Sequence, residues 1–191
     1  MLSDELIRKL DDFIRKFYRT LMLKGLFYTI ILLVVFYLLL TLFEFVGYNG
    51  TVVRTVLFYL YLAFAGVIIT IFVLRPLTKM WRIGKTIDYY QAAKIIGAYF
   101  PEISDKLLNL LQLNAQAENN ESELLLASIE QRTKQLSPIS FNLAIDKKNL
   151  KKAGLIASSV LLILILTALI FPNFIKDTTN RYIKHSTYFE K

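Results

Sequence analysis

The sequence predicts an all-α membrane protein with three transmembrane helices, and two observations support this fold class. Residues 26–46 and 53–74 form two apolar runs of 21 and 22 residues. A helix of about 20 apolar residues crosses a hydrocarbon core roughly 30 Å thick. A third apolar run covers residues 153–171. The full prediction adds an N-terminal amphipathic helix and a small helical cytoplasmic cap between spans two and three.

Composition agrees with a membrane location and excludes several kinds of site. Of the 191 residues, 55% are hydrophobic, more than the roughly 45–50% of soluble domains. The chain contains no cysteine, which excludes disulfides, thiolate metal sites and cysteine nucleophiles. Most of the apolar surface is therefore expected to face lipid or neighbouring helices, with the lipid bilayer as the first partner.

The net charge of +8 is compatible with nucleic-acid binding, but topology explains it better. Lysine and arginine concentrate in the short segments that flank membrane spans on the cytoplasmic side. The basic residues of this chain lie mainly in such segments, so the sequence predicts no nucleic-acid partner.

Residues 1–24 are predicted to form an amphipathic cytoplasmic arm. Ser3 is a plausible N-cap, and Leu6, Leu10, Phe13 and Phe17 recur at helical spacing on one side. A basic amphipathic helix beside a span usually lies among the lipid headgroups, which is the favoured interpretation. The alternative is packing against another protein helix. No cleavage pattern follows the arm, so the first span is expected to be a retained anchor.

Residues 25–75 are predicted to form a transmembrane helical hairpin. Asn49 and Gly50 provide the reversal between its two spans. Glu44 lies near the end of the first span and is expected to reach the interface, while Arg54 is expected to extend its side chain outward to water. Neither is predicted to relay protons.

Small residues mark predicted helix-packing positions in two of the spans. Ala63 and Gly66 leave a flat patch on span two, and Gly154 and Ser158 are four residues apart in span three. Small residues let helix backbones approach closely in membranes. They are interpreted either as packing sites within the chain or as a surface for self-association or for a membrane-protein partner.

Residues 76–152 are predicted to form the cytoplasmic helical segment. One helix is expected to end near Phe100 because Pro101 disfavours helix at the residue before it, and Ser104 is expected to cap a second. A third helix is predicted over residues 121–136, capped by Asn120 and ended by Pro138, followed by a short β-like patch over residues 139–145. The side chains expected to be buried together against the span ends are Leu107, Leu110, Leu111, Leu125 and Ile129.

Charge counting orients the remaining segments, which are the third transmembrane helix at residues 153–172 and an extracytoplasmic tail at residues 173–191. The arm holds six Lys or Arg, the hairpin turn none, residues 75–152 twelve and the tail four. The positive-inside tendency places the arm and the middle segment in the cytoplasm. We therefore expect a bacterial inner-membrane protein with a cytoplasmic N-terminus and a periplasmic C-terminus.

Motifs that would support catalysis are missing from the sequence. His185 is the only histidine, which excludes a histidine metal cluster and leaves no pattern for a serine triad. The seven glycines are too dispersed for a P-loop or a dinucleotide fingerprint. The sequence predicts that the chain is not an enzyme and has no catalytic residue, cofactor, metal or evident small-molecule substrate.

Residues 99–109 form a distinctive motif with the sequence YFPEISDKLLN. It resembles a signature of an uncharacterised family of large Bacteroidota inner-membrane proteins, a domain of unknown function. The similarity continues through residues 122–129, Phe141, residues 144–146, 180–183 and 186–191, with the same three-span layout. It implies longer family members that continue outside the membrane, so the tail is expected to begin a larger missing region. It implies no activity and no site residues.

The predicted function is an inner-membrane anchoring and assembly module for an extracytoplasmic region or a membrane complex, without catalysis of its own. The alternatives are a small subunit of a membrane transporter or channel complex, and a transmembrane sensor. Transport would require polar groups along the bundle interior, whereas the middle of each span is almost entirely apolar.

Overall fold

The computed structural model of the chain describes residues 4–80, 87–117, 123–136 and 139–189. Within these ranges the chain is helical and contains no strand. Three helical stretches are long and apolar enough to cross a membrane: Leu6–Gly47, Thr51–Met80 and Lys147–Ile170. The predicted all-helical class with three such helices is confirmed.

The helices follow one another with short connections. In chain order they are α1 (Asp4–Gly47), α2 (Thr51–Ile69), a π-helical segment (Thr70–Leu74), α3 (Arg75–Met80), α4 (Tyr89–Tyr99), α5 (Pro101–Ala117), α6 (Glu123–Leu136), a 3₁₀ turn (Phe141–Ala144), α7 (Lys147–Ile170) and α8 (Pro172–Ile183).

These helices divide into two compact units. The first unit joins Met1–Leu21 to Leu77–Lys147, and the second joins Met22–Pro76 to Lys148–Lys191. The long helix α1 contributes its beginning to the first unit and its remainder to the second. The predicted arm is therefore continuous with the first span rather than a separate helix.

The apolar stripe of the arm lies in the core of the first unit. Leu6, Leu10 and Phe13 are buried in the same cluster as Ala92 and Ile96 of α4. The favoured interpretation of the arm as a helix on the membrane surface is wrong for this stripe. The physical reason is that the apolar faces of α4 to α6 remove it from solvent, which lipid headgroups would do only in part.

Two polar contacts fasten α1 within the first unit. The Tyr18 hydroxyl accepts a hydrogen bond from the backbone N–H of Ile87 at 3.0 Å. The Tyr89 hydroxyl donates to Asp11 Oδ1 at 2.9 Å. Both connect residues far apart in sequence, so they give the arm a defined place against the start of α4.

The boundary between α4 and α5 differs from the prediction. Asp88 caps α4 by accepting the Gln91 N–H at 2.6 Å, and α4 ends at Tyr99. Helix α5 then begins at once with Pro101, so Ser104 lies inside it and does not cap it. Proline suits the first helical position, where its missing N–H would have no helical acceptor. Only Phe100 separates the two helices.

The predicted leucine cluster of the middle segment is partly visible. Leu107, Leu110 and Ile129 are fully buried in the core of the first unit, and Leu111 packs against it. The side chain of Leu125 and the proposed cap and stop residues, Asn120 and Pro138, lie outside the described residues. Helix α6 ends at Leu136.

The β-like patch at residues 139–145 is a wrong prediction. The chain forms a 3₁₀ turn over Phe141–Ala144, with Phe141 buried and Leu143 exposed. A strand needs a neighbour to complete its backbone hydrogen bonds, and the part of the chain that the structure describes offers none. Phe141 and Ile145 of this patch are both buried in the core of the first unit.

In the second unit, α1 and the π-helical segment approach closely at Gly25. A Cβ atom added there would lie 2.9 Å from the carbonyl carbon of Phe72 and closer still to its oxygen. No side chain larger than hydrogen fits this position without moving the backbone of the π-helical segment. The contact lies at the opposite end of the first span from the hairpin turn.

The predicted tail forms helix α8, which packs across the hairpin. The Tyr182 hydroxyl donates to the Leu40 carbonyl at 2.8 Å, and the Tyr37 hydroxyl is 2.5 Å from Thr179 Oγ1. The rings of Phe45 and Phe174 meet edge to face at 4.9 Å between centroids. Helix α8 is thus an element of the second unit.

Candidate functional site at the hairpin turn

Glu44 and Arg54 lie opposite each other in the hairpin. Each is five residues from Asn49, on α1 and α2 respectively. Because each residue of an α-helix rises 1.5 Å, two antiparallel helices bring these side chains to the same height. The side chain of Glu44 is 0% exposed and that of Arg54 is 3% exposed.

The carboxylate of Glu44 is fully engaged. Its Oε1 accepts from Arg54 Nε at 3.2 Å and lies 3.1 Å from Arg54 Nη2. Its Oε2 accepts from Asn49 Nδ2 at 3.2 Å. A buried charge is tolerated only when a partner and hydrogen bonds replace its hydration, and both are present here.

Arg54 also connects two further parts of the chain. Its Nη2 donates to the Asn49 carbonyl at 2.8 Å, and its Nη1 donates to the Thr187 carbonyl at 3.1 Å. The Phe189 ring lies 5.1 Å from its guanidinium carbon. One side chain therefore holds α1, the hairpin turn and the segment after α8 together.

This geometry corrects the predicted positions of both charged residues. Neither Glu44 nor Arg54 reaches outward to water, because the two side chains pair with each other and both are buried. In an apolar environment the attraction between opposite charges is stronger than in water, and a charge that extended outward alone would leave its partner buried without compensation.

Arg181 of α8 brings a second cation to the cluster. Its Nη1 lies 3.9 Å from Glu44 Oε1, which is beyond hydrogen-bond distance. Its guanidinium carbon is 4.6 Å from the centre of the Tyr48 ring. The arrangement holds two guanidinium groups and one carboxylate, and it therefore carries an excess of positive charge.

His185 contacts α2 beside this cluster. Its Nδ1 is 3.1 Å from Thr55 Oγ1, and its ring stacks on Phe58 at 4.8 Å between centroids. Across the described residues, no group of three His, Asp or Glu side chains is arranged to hold a metal ion. The cluster is suited to holding elements together and to binding a charged group.

The structure places the four predicted helix-packing residues differently from one another. Gly154 lies close to Phe27, since an added Cβ would be 3.3 Å from that ring. Ala63, Gly66 and Ser158 are exposed, and nothing lies within 4 Å of a Cβ at Gly66. For Gly66, packing within the chain is a wrong interpretation. Packing of these exposed residues against a second protein stays a prediction.

Other small residues pack within the chain. Ala153 and Ala157 are buried on α7, each one position before a residue of the predicted pair Gly154 and Ser158. Gly25 allows the backbone at Phe72 to approach closely. None of these three positions was predicted from the sequence. A close approach depends on which side of a helix faces its neighbour, and the apolar spans carry no periodicity that identifies this side.

Two signals in the sequence indicate the ionic cluster. Opposite charges at equal distances before and after the turn that joins two helices predict an ion pair across the hairpin. Phe174, Thr178 and Tyr182 recur every four residues after Pro172, which predicts an amphipathic helix. Thr178 and Tyr182 are buried in that helix.

No family model matches this chain, and no curated protein or solved structure has significant similarity to it.

Proposed function

We propose that the chain is an anchoring and assembly module of a bacterial inner membrane, with no catalysis of its own. The observation that carries the proposal is the connection that Arg54 makes between the hairpin and the segment after α8. An anchor must transmit force from whatever it holds to its membrane spans. Here the contact is made by a buried ion pair, a tyrosine hydrogen bond and aromatic packing.

The contacts within each unit support the proposed sidedness. The arm and the middle segment share one hydrophobic core, so both belong on the same side of a bilayer. The hairpin turn and the end of the chain share the Arg54 contacts, so they belong together as well. With basic residues concentrated in the first pair, the N-terminus is cytoplasmic and the C-terminus periplasmic.

The object that is anchored follows from the proposed family relationship. The resemblance to large Bacteroidota inner-membrane proteins implies an extracytoplasmic region attached at the C-terminus. A membrane-protein partner or a second copy is the other candidate, docked against the exposed small residues Ala63 and Gly66. In both cases the first unit forms a helical cap on the cytoplasmic side.

The test uses a reporter protein fused after residue 191, in intact cells and in cells with a permeable outer membrane. We expect the reporter to stay with the inner membrane and to be active in the periplasm. Trypsin added from the periplasm should cleave slowly after Lys184 in the native chain and quickly in Arg54→Met, which leaves all three apolar helices intact. A reporter active only in the cytoplasm, or equal cleavage in both chains, would contradict the anchor.

The alternative is a small subunit of a transporter or channel complex, and the buried Glu44 and Arg54 favour it, because intramembrane charges commonly mark ion pathways. In this chain the two charges neutralise each other and contact the turn. Proteoliposomes holding the purified chain would decide the matter. An ion or proton flux that Glu44→Gln abolishes would replace the anchor with the transport subunit.

A further inference from the structure

Arg181 has an unusual set of contacts for an arginine that is largely withdrawn from water. Its side chain is 19% exposed, and its contacts are the distant Glu44 oxygen and the rings of Tyr48 and Phe189. Among the described residues, the guanidinium donates no hydrogen bond. A guanidinium carries five N–H donors, and those of Arg181 remain open to solvent or to a bound acceptor.

Glu44 does not meet this need. Both of its oxygens already accept from Arg54 and Asn49, and Arg54 neutralises its charge at 3.1 Å. Arg181 remains 3.9 Å away, where its attraction to the carboxylate is shared with the nearer cation. The cluster therefore has one positive charge and several donors in excess.

The charged residues around Arg181 do not supply an acceptor. Asp177 precedes it by one helical turn on α8 and forms no ion pair with it. Lys176 on α8 and Lys184, the first residue after that helix, are exposed and add further positive charge. The missing partner is an anion, and the planar fork of a guanidinium matches the oxygens of a phosphate best.

The position of Arg181 indicates the source of that anion. It lies over Tyr48, the first residue after the end of α1 at Gly47. Tyrosine and arginine at the end of an apolar span lie at the depth of lipid headgroups in a bilayer. The most abundant phosphate at that depth belongs to the lipid itself.

We propose that Arg181, with the ring of Tyr48 against its guanidinium, binds the phosphate of an anionic bilayer lipid at the hairpin end of the spans. The oxygens of the bound phosphate accept hydrogen bonds from the guanidinium N–H groups, and its charge balances the excess positive charge of the cluster. Lipid binding thereby stabilises the packing of α8 on the hairpin. This site is separate from the anchoring role, which rests on Arg54.

The first experiment measures lipid retention by the full chain in mild detergent, using native mass spectrometry with phosphatidylglycerol or phosphatidylcholine. We expect preferential retention of phosphatidylglycerol, weakened about fivefold by Arg181→Gln, the usual effect of one basic residue at an anionic surface. Lys184→Gln removes an exposed charge from the same end of α8 and should change retention less than about twofold, because exposed charges are screened. Equal losses in the two variants would overturn the site.

The second experiment avoids variants and uses phenylglyoxal, which modifies accessible arginines. Phosphatidylglycerol should protect Arg181 from modification in the native chain, while exposed Arg8 stays reactive and buried Arg54 stays unreactive with or without lipid. Protection of Arg181 by phosphatidylglycerol but not by inorganic phosphate at the same concentration supports a lipid site. Equal protection by inorganic phosphate overturns the lipid as the source, and no protection by either overturns the proposal.

Discussion

At the scale of single residues, the buried pair of Glu44 and Arg54 sets the largest energetic demand. Removing one member of a buried ion pair leaves the other charge without compensation, which typically costs about 3–5 kcal/mol. The exposed pair of Glu130 and Lys134 on α6 is a natural control, since its side chains are 68% and 75% exposed. Such exposed pairs contribute little to stability.

We therefore predict that Glu44→Gln lowers the free energy of unfolding by about 3 kcal/mol, because Arg54 then stays charged and buried without a counter-ion. Glu130→Gln should leave the free energy of unfolding nearly unchanged, because water screens the charges of an exposed pair. Denaturant unfolding in the same detergent measures both. Similar values for the two variants would mean that the Glu44 pair is not buried as described.

A second prediction at this scale concerns two glycines inside helices. Alanine is favoured over glycine in a helix by about 1 kcal/mol, so Gly66→Ala, which meets no neighbour, should be neutral or stabilising. Gly25→Ala should be destabilising by about 2 kcal/mol, because its Cβ would displace the backbone at Phe72. Thermal unfolding of the two variants tests the pair. A stabilising Gly25→Ala would contradict the close contact.

At the scale of elements, the placement of the arm follows from what covers its apolar stripe. Leu10 is fully buried in the first unit, whereas Leu26 in the apolar span is 41% exposed. Leu10→Ala should cost about 2–5 kcal/mol, the range for a truncated core leucine, and Leu26→Ala should cost less than about 1 kcal/mol. Amide exchange over residues 104–113 should accelerate in Leu10→Ala alone. Unchanged amide exchange over these residues would support the alternative in which the arm lies on the membrane surface.

Helix α8 gives a prediction about pH. Burial, followed by the negative charge of Glu44, raises the pKa of Tyr182 to about 12 from its ordinary value of 10.0. Because the folded state favours the neutral phenol, this contribution to stability is complete below pH 10 and is lost as the pH rises through 12. Tyrosinate absorbance should show a component with a midpoint near pH 12 that is absent in Tyr182→Phe.

The same variant tests the hydrogen bond from Tyr182 to the Leu40 carbonyl. Its loss should lower the stability by about 1 kcal/mol, the usual net value of one hydrogen bond. If every tyrosine titrates near pH 10, helix α8 does not pack on the hairpin in the way described.

At the scale of the whole molecule, the predicted topology is testable because the chain has no cysteine. Single cysteines can be placed at the exposed positions Gly50, Lys106 and Ser186 and labelled without background from native cysteines. We expect an impermeant maleimide added from the periplasmic side to label positions 50 and 186, and to label position 106 only after the membrane is opened. Labelling of position 106 in sealed membranes would contradict the predicted topology.

The prediction from sequence was most successful where a feature depends on a continuous run of residues. Three long apolar runs can satisfy their backbone hydrogen bonds in lipid only as helices, so the helical class and its three long members follow without knowledge of any contact. Helix ends were less accurate, as Ser104 and the start of α5 show. They depend on single residues that serve equally well as caps or inside a helix.

The sequence by itself determined the apolar helices, the tight turn at Asn49 and Gly50, and the absence of motifs for catalysis, because each is local. Only the tertiary structure decided what the arm packs against, which small residues face a neighbour, and where Glu44, Arg54 and Arg181 meet. Those outcomes depend on the rotation and distance of helices that are far apart in the chain. The sequence of an apolar span does not show which side of the helix faces a neighbour. The partner of its one buried charge can be identified only when the position of the opposing helix is known.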